Sequence, residues 1–436
     1  MDSIDWKKEH ILFISENKDL PDKLGEAEGI EFRKTIEPWL TAVFQSEHLS
    51  LLLGTGITTG ICNNAGIASK AMQRIEFKIN NQKQPDKYKN IISEYADKSA
   101  IALSRGKANF EDDLRTAIEL LKGMLIERNS DAELLKNSIN ENMESLIKNL
   151  LQNEILFKDS AEKGLQSFNI LKKFLISFGS RTATRDRLHI FTTNYDRFIE
   201  YALDSAGIYT LDRFVGKINP IMRMNKMELD YHYNPPGIRG EPRYVEGVVR
   251  YTKLHGSLDW RIMDNEIYKY PLPFGQEIDT SKFENPYETC VIYPNSSKGV
   301  DTAYFPYSEL FRDFSSAICR PNSVLVTYGY GFGDSHINNI ISDMLTIPST
   351  HLVIISYDLA DGRIQKFVDK CNLSQLTLLL GNHFGNIKTL TEYYLPKSAI
   401  DRITERMHNI IEKRGANEPD NDKRKKGKES NEERSE

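Results

Sequence analysis

The stretch Leu51–Gly60, LLLGTGITTG, limits what this chain can fold into more than any other part of it. An apolar run breaks into Gly54-Thr55-Gly56, Gly60 follows, and small residues continue to Ala68. Read in order, that is a buried strand, a tight glycine turn and a helix start, the opening of a parallel α/β unit. Backbone N–H groups at such a turn can approach a pyrophosphate, helped by about half a positive charge from the helix dipole. The same glycines also serve where two backbone segments must pack closely. Three later stretches end strands in a similar way: FTTNYD (191–196), LHGSLDW (254–260) and VTYGYGFGDSH (326–336).

A chain of 436 residues has room for one large domain or two to three ordinary ones. Its 39% hydrophobic and 27% charged residues describe a globular protein with a real core. A net charge of −5 argues against broad nucleic-acid binding, so none is expected. Cys62, Cys290, Cys319 and Cys371 stand far apart without a CxxC pair, which predicts free thiols, no zinc module and no metal. The N-terminus MDSIDWKKEH has no apolar signal region, and no run nears the roughly eighteen apolar residues of a membrane span. A cytoplasmic protein without membrane contact is expected.

Residues 1–30 are polar and yield no element, while Glu31–Gln45 has helical spacing with Pro38 marking a kink or break. His48–Leu53 is the first strand. Phe110–Arg128, Asp131–Gln152 and Ser160–Phe178 each repeat apolar residues at three- and four-residue spacing, which predicts helices with no strand between them. Asn109 is placed to cap the first, with Glu111, Asp112 and Asp113 at its positive end; catalysis by these acids is the other reading. From Leu188 the strand–helix alternation resumes with LHIFTTNY, DRFIEYALDSAG, VVRYTKLHGS, SVLVTYGYGF, HINNIISDML and HLVIISYD, then a helix over Gly362–Asn372. Tyr209–Gly247 reads as irregular, and Phe305–Arg320 as helical. SAIDRITERMHNIIEKR is expected to close the fold as a helix.

The fold class expected is α/β, a Rossmann-like parallel sheet with a large inserted helical module. Its expected divisions are a helical lead-in over 1–47, a Rossmann domain over 48–69 and 186–413, the helical module over 70–185, and a disordered charged tail over 414–436.

Chemistry in such sheets gathers at the strand C-terminal ends. Those ends collect Gly54, Thr55, Gly56 and Thr58; Thr193, Asn194 and Asp196; His255; and Gly329, Gly331, Gly333 and Asp334. No Walker lysine, HExxH, cysteine nucleophile or GxSxG elbow accompanies them. What remains is a dinucleotide cradle, an amide, a carboxylate and an imidazole suited to general-base work. His255 also reads as a core histidine, Asn194 as a cap for the helix near Asp196, and Asp334 as an N-cap compatible with ligand contact. His336 is either structural or functional, and His189, His232, His351 and His383 carry no motif.

With these motifs the chain resembles sirtuins, and more closely the divergent sirtuin-like NAD hydrolases of bacterial antiphage defence, of the HerA-associated type. Gly54-Thr55-Gly56-Ile57-Thr58 resembles the sirtuin GAGxS, Thr192-Thr193-Asn194-Tyr195-Asp196 resembles TQNID, and Leu254-His255-Gly256 resembles LHG. Gly329-Tyr330-Gly331-Phe332-Gly333-Asp334-Ser335-His336 is similar to the GYSFxDxHI signature of the defence branch. The resemblance implies a sheet of sirtuin type and NAD as substrate. It implies that Asn194 positions the nicotinamide ribose or the attacking water and that His255 is the base. Gly54, Thr55, Gly56 and Thr58 would hold phosphates, Asp196 would shape the nicotinamide pocket, and Thr193, Gly329, Gly331 and Asp334 would complete the cofactor site.

Two departures favour water over an acyl-peptide acceptor. The sirtuin GIPDFR loop is replaced by Gly60-Ile61-Cys62-Asn63-Asn64, and the paired zinc cysteines are absent. The implied activity is NAD+ glycohydrolysis that depletes NAD in abortive infection. A separate activating partner is implied too, a HerA-type ATPase or a short Argonaute, and a homo-oligomer is expected. A non-catalytic NAD- or ADP-ribose-binding module is the alternative from another class; a deacylase or ADP-ribosyltransferase is a third.

Overall fold

The computed structural model describes residues 4–397 except 19, 22–23, 25, 69–73, 76, 78–86, 103–105, 182–183, 225–228, 235–242, 277–284 and 293–304. Residues 1–395 form one compact unit and 396–436 a second. The expected closing helix and charged tail lie outside the described residues.

The runs HLSLLL, SVLVTY, HLVIIS and LTLLL form strands buried along nearly their whole length. That is the signature of a parallel sheet covered on both faces. Alternate residues part to opposite sides: Leu51, Leu53, Ile190, Val326 and Val353 enter one core, while Leu52, Phe191, Leu325 and Ile354 enter the other. Helices Glu26–Phe44, Thr55–Asn64, Ala161–Gly179 and Phe198–Ser205 cover the first face, and Tyr307–Ile318, Ser335–Met344 and Arg363–Val368 the second.

The sheet has nine strands in the order Glu16–Asn17, Ile11–Ile14, Leu376–Leu380, His351–Ser356, Ser323–Tyr328, His48–Leu53, His189–Thr192, Val248–Lys253, Tyr209–Leu211. From Leu376–Leu380 onward every neighbouring pair is parallel. The α/β fold with a largely parallel sheet is therefore as the sequence predicts. From His48–Leu53 the chain winds outward to His189–Thr192 and Val248–Lys253, then returns to set Ser323–Tyr328 on the other side. The winding reverses between Ser323–Tyr328 and His48–Leu53, and ligands of doubly wound sheets bind at such a switch point.

Two expected divisions need correction. The lead-in is not purely helical: Ile11–Ile14, all buried, pairs antiparallel with Leu376–Leu380 and extends the sheet. Its four apolar residues sit among polar neighbours and are too few for periodicity to reveal. Helix Ala161–Gly179, expected within the inserted module, is built into the sheet's own core through Phe168, Leu171, Phe174, Leu175 and Phe178. Helices Lys87–Ala102, Phe110–Ile126 and Ala132–Asp159 share a separate core, which Tyr195, Leu258 and Cys290 join to the sheet's loops. The region 209–247 is less irregular than its composition implies. It contributes Phe214–Val215 and Ile221–Met222 to a five-stranded antiparallel sheet with Glu266–Lys269, Gly256–Met263 and Cys290–Ile292.

Candidate active site

Tyr328, Leu53, Thr192 and Lys253 lie in one transverse row across four neighbouring strands. Each marked stretch leaves its strand one residue past that row, at Gly329, Gly54, Thr193 and Leu254. Strand register alone brings all four to one crest, astride the switch point.

At the crest the glycines hold two turns together. The Gly54 N–H donates to Tyr328 O at 3.1 Å, and the Gly56 N–H to Gly329 O at 3.1 Å. A Cβ on Gly54 would stand 2.4 Å from Gly329 O, and one on Gly56 2.6 Å from Gly329 Cα. Gly329 itself has φ 61°, a conformation L side chains rarely adopt. The Ile57 N–H is also taken, by Gly54 O at 3.2 Å. Of the first three N–H groups of helix Thr55–Asn64, that of Thr55 is left to face a ligand. Thr55, Gly56, Gly329 and Gly331 line a cleft of about 650 Å³ together with Asp358 and Arg363. Arg363 Nε is anchored on Gly331 O at 2.7 Å.

Beside that turn, the side chains of the loop Asn194–Arg197 are tied to three different helices, Thr55–Asn64, Phe110–Ile126 and Ala132–Asp159. Asn194 Nδ2 donates to Gly54 O at 3.2 Å and to Thr58 Oγ1 at 3.1 Å. Thr58 in turn donates to Asp196 Oδ2 at 2.8 Å. Tyr195 OH bonds Glu111 Oε1 at 3.1 Å, and Arg197 Nη2 pairs with the fully buried Glu154 at 2.5 Å. Lys253 Nζ donates to Asp196 O and to Glu200 Oε1 at 2.8 Å. Burial pushes the Asp196 carboxyl above its ordinary value; the Lys253 charge and the Thr58 hydrogen bond offset only part of this. Asn194 does not cap the next helix, which starts at Phe198 with Arg197 in the cap position. Its Oδ1 is buried with no protein partner. An orphaned acceptor costs about 1–3 kcal/mol, and a ligand hydroxyl or water there would repay it.

His255 stands at a corner. Strand Val248–Lys253 ends just before it, and Gly256, at φ 86°, turns the chain into the second sheet. Its Nε2 reaches Asp334 Oδ2 at 2.9 Å, above the intervening strands. The other oxygen of Asp334 accepts from the N–H groups of His336 (2.8 Å) and Ile337 (3.2 Å), capping helix Ser335–Met344. Burial raises the Asp334 carboxyl, and the His255 hydrogen bond and charge with those N–H groups outweigh it, so its pKa lies below the ordinary value. An ionised carboxylate on one ring nitrogen orients the imidazole, an arrangement that suits a general base.

The predicted residues thus fall into three groups along the crest. Thr55, Gly56, Gly329 and Gly331 line the cleft; Thr58, Asn194 and Asp196 form the buried network around Gly54; His255 and Asp334 form the dyad. Asn194 and His255 are only 3% and 6% exposed and do not line the cleft. Thr193 is half-buried, its N–H bonded to Leu53 O at 3.2 Å. His336 packs edge-on against Phe311, and His189, His351 and His383 bond Thr252, Thr377 and Tyr394. Sequence reasoning missed Lys253, the Tyr195–Glu111 tie and the Arg197–Glu154 pair. Only Lys253, a charge at the end of strand VVRYTK directly before the LHG motif, left a local signal.

Residues 188–376 match the family model of the SIR2-like domain. The match supports a sirtuin-like family for this chain, and it runs from the strand before Asn194 through His255 and Asp334. The Gly54 turn lies outside the matched residues, and the fold sets it against them. SIR2-like domains use NAD and are in general NAD-dependent enzymes. Comparison with curated proteins gives no match. Among the described residues no group of three or more His, Cys, Asp or Glu is placed to hold a metal, and no helix is long and apolar enough to cross a membrane. The cleft volume lies in the range of small-molecule sites.

Proposed function

We propose that this chain is an NAD glycohydrolase. The reading rests on one juxtaposition: an amide with an unmet acceptor and a carboxylate-backed imidazole share a crest with a nucleotide-sized cleft. In the reaction the bond between the nicotinamide nitrogen and ribose C1′ breaks, and the pair of electrons neutralises the pyridinium. Water supplies the new C–O bond at C1′, and its proton passes to His255. Asn194 holds the ribose hydroxyl or the water without adding charge. Asp334 keeps the imidazole oriented through the step and stabilises the imidazolium.

Nicotinamide release from NAD tests this, with the purified chain assayed alone and with its activator. We expect His255→Ala and Asn194→Ala each to lose roughly 10²–10⁴-fold of the rate. Equal rates in wild type and both variants would remove the proposal. The near-complete enclosure of Asn194 and His255 also favours a second reading, an NAD- or ADP-ribose-binding module without turnover. Tight NAD binding by calorimetry without product in any activated state would select it. The same enclosure fits an enzyme silent until triggered. We place this chain in antiphage defence, where opening of the site by a separate partner, of HerA-type ATPase or short Argonaute kind, would deplete NAD. Assembly as a homo-oligomer in the cytoplasm belongs to the same proposal.

A further inference from the structure

The opposite ends of the same strands hold a larger cavity, about 930 Å³, lined by His48, Arg187, His189, Arg243, Arg250 and Arg320 among others. Four arginines, Arg187, Arg243, Arg250 and Arg320, stand in this lining against the carboxylates Glu47, Asp186 and Asp313. Asp230 pairs with both Arg187 and Arg250, Asp186 with both Arg320 and His48, and Glu47 also reaches His48. Asp313, which also lines it, is taken on both oxygens by Arg213. Arg243 makes no ion pair among the described residues. Arg320 keeps 40% of its side chain exposed. Burial, with the charges of Arg250, Arg320 and Arg213, holds His189 well below its ordinary value, as a positive field at the cavity floor requires. A cavity in which Arg243 has no carboxylate of its own among the described residues and Arg320 shares Asp186 with His48 leaves guanidinium donors for a further anion.

We propose that this cavity is a second ligand site, taking a small multivalent oxyanion of nucleoside-polyphosphate size, gripped by Arg243 and Arg320 with Arg250 behind them. The site is separate from the crest. His189 precedes Asn194 by five residues and Arg250 precedes His255 by five; at about 3.3 Å per residue, roughly 16 Å of strand lies between. A ligand here is not the molecule that reacts, so the proposal stands whether or not the chain hydrolyses NAD.

Calorimetry on the full chain with inorganic triphosphate at low ionic strength tests it, with citrate as a second arm. Triphosphate should bind, more weakly as salt is added. Arg243→Ala should weaken binding at least tenfold, the loss of one charge-assisted contact. Arg243 makes no ion pair among the described residues, so circular dichroism of this variant should match wild type. Citrate bound with the same dependence on Arg243 supports the site for carboxylates as well as phosphates; triphosphate alone supports a phosphate-bearing ligand. Absence of binding by either anion at millimolar concentration overturns the proposal. So does unchanged affinity in Arg243→Ala, or displacement of triphosphate by saturating NAD, which would move the anion to the crest.

Discussion

Replacing Thr58 by valine removes a single hydroxyl without changing the shape of the side chain, and that hydroxyl links three parts of the crest. It donates to Asp196 Oδ2 at 2.8 Å and accepts from Asn194 Nδ2 at 3.1 Å, all within a buried cluster. A hydrogen bond to a carboxylate contributes about 1.5–3 kcal/mol and a neutral one about 0.5–1.5 kcal/mol. Thr58→Val should therefore destabilise the fold by about 2–4 kcal/mol. Thr58→Ser keeps the hydroxyl and loses one methyl group, at about 1 kcal/mol. Guanidinium denaturation of the two variants, compared at equal slope, reads the difference directly. The pH dependence gives a second check. Burial first, against the Lys253 charge and the Thr58 bond, sets the Asp196 carboxyl above its unfolded value. Stability from this group thus falls as pH rises through that window. Losing the Thr58 bond raises the carboxyl further, so the valine penalty should be largest at neutral pH and shrink in acid. Equal stability of the valine and serine variants, or a pH-independent penalty, would refute the network.

Three further outcomes follow from the same geometry. Arg197→Met strands the fully buried Glu154 carboxylate and should cost about 3–5 kcal/mol in urea denaturation, with part recovered by adding Glu154→Gln; a cost under about 1 kcal/mol contradicts the pair. His351 is lowered by burial from 6.5 to about 4, so its neutral ring contributes stability above pH 6.5 that is lost as pH falls toward 4, up to about 3 kcal/mol. His351→Gln should flatten that window, and an unchanged acid profile counts against the assignment. Gly56→Ala sets a Cβ 2.6 Å from Gly329 Cα and should part the two turns, at about 1–3 kcal/mol of stability and with weaker NAD binding by calorimetry; wild-type affinity would show that the turns need not touch.

The sheet was readable because its strands are apolar on both faces and the glycine turns punctuate them. Likewise the four crest motifs were found singly, and strand register then aligned them. Ile11–Ile14 escaped because a strand of four apolar residues carries no helical or alternating pattern of its own. Of the two readings of the glycines, close packing is the one that their hydrogen bonds display. Gly54 and Gly56 spend their N–H groups on Tyr328 and Gly329, so they knit the turns and leave Thr55 and Arg363 toward the cleft. Contacts such as Arg197 with Glu154, 43 residues apart, depend on how the helices dock, which no local pattern encodes.

A crystal structure of the Asn194→Ala variant soaked with NAD tests the central claim most directly. The account predicts the pyrophosphate beside Thr55 and Arg363 in the switch-point cleft, with the nicotinamide ribose extending toward position 194 and the His255 ring. Density for the dinucleotide away from that crest, or a nicotinamide ribose pointing away from His255, would contradict it.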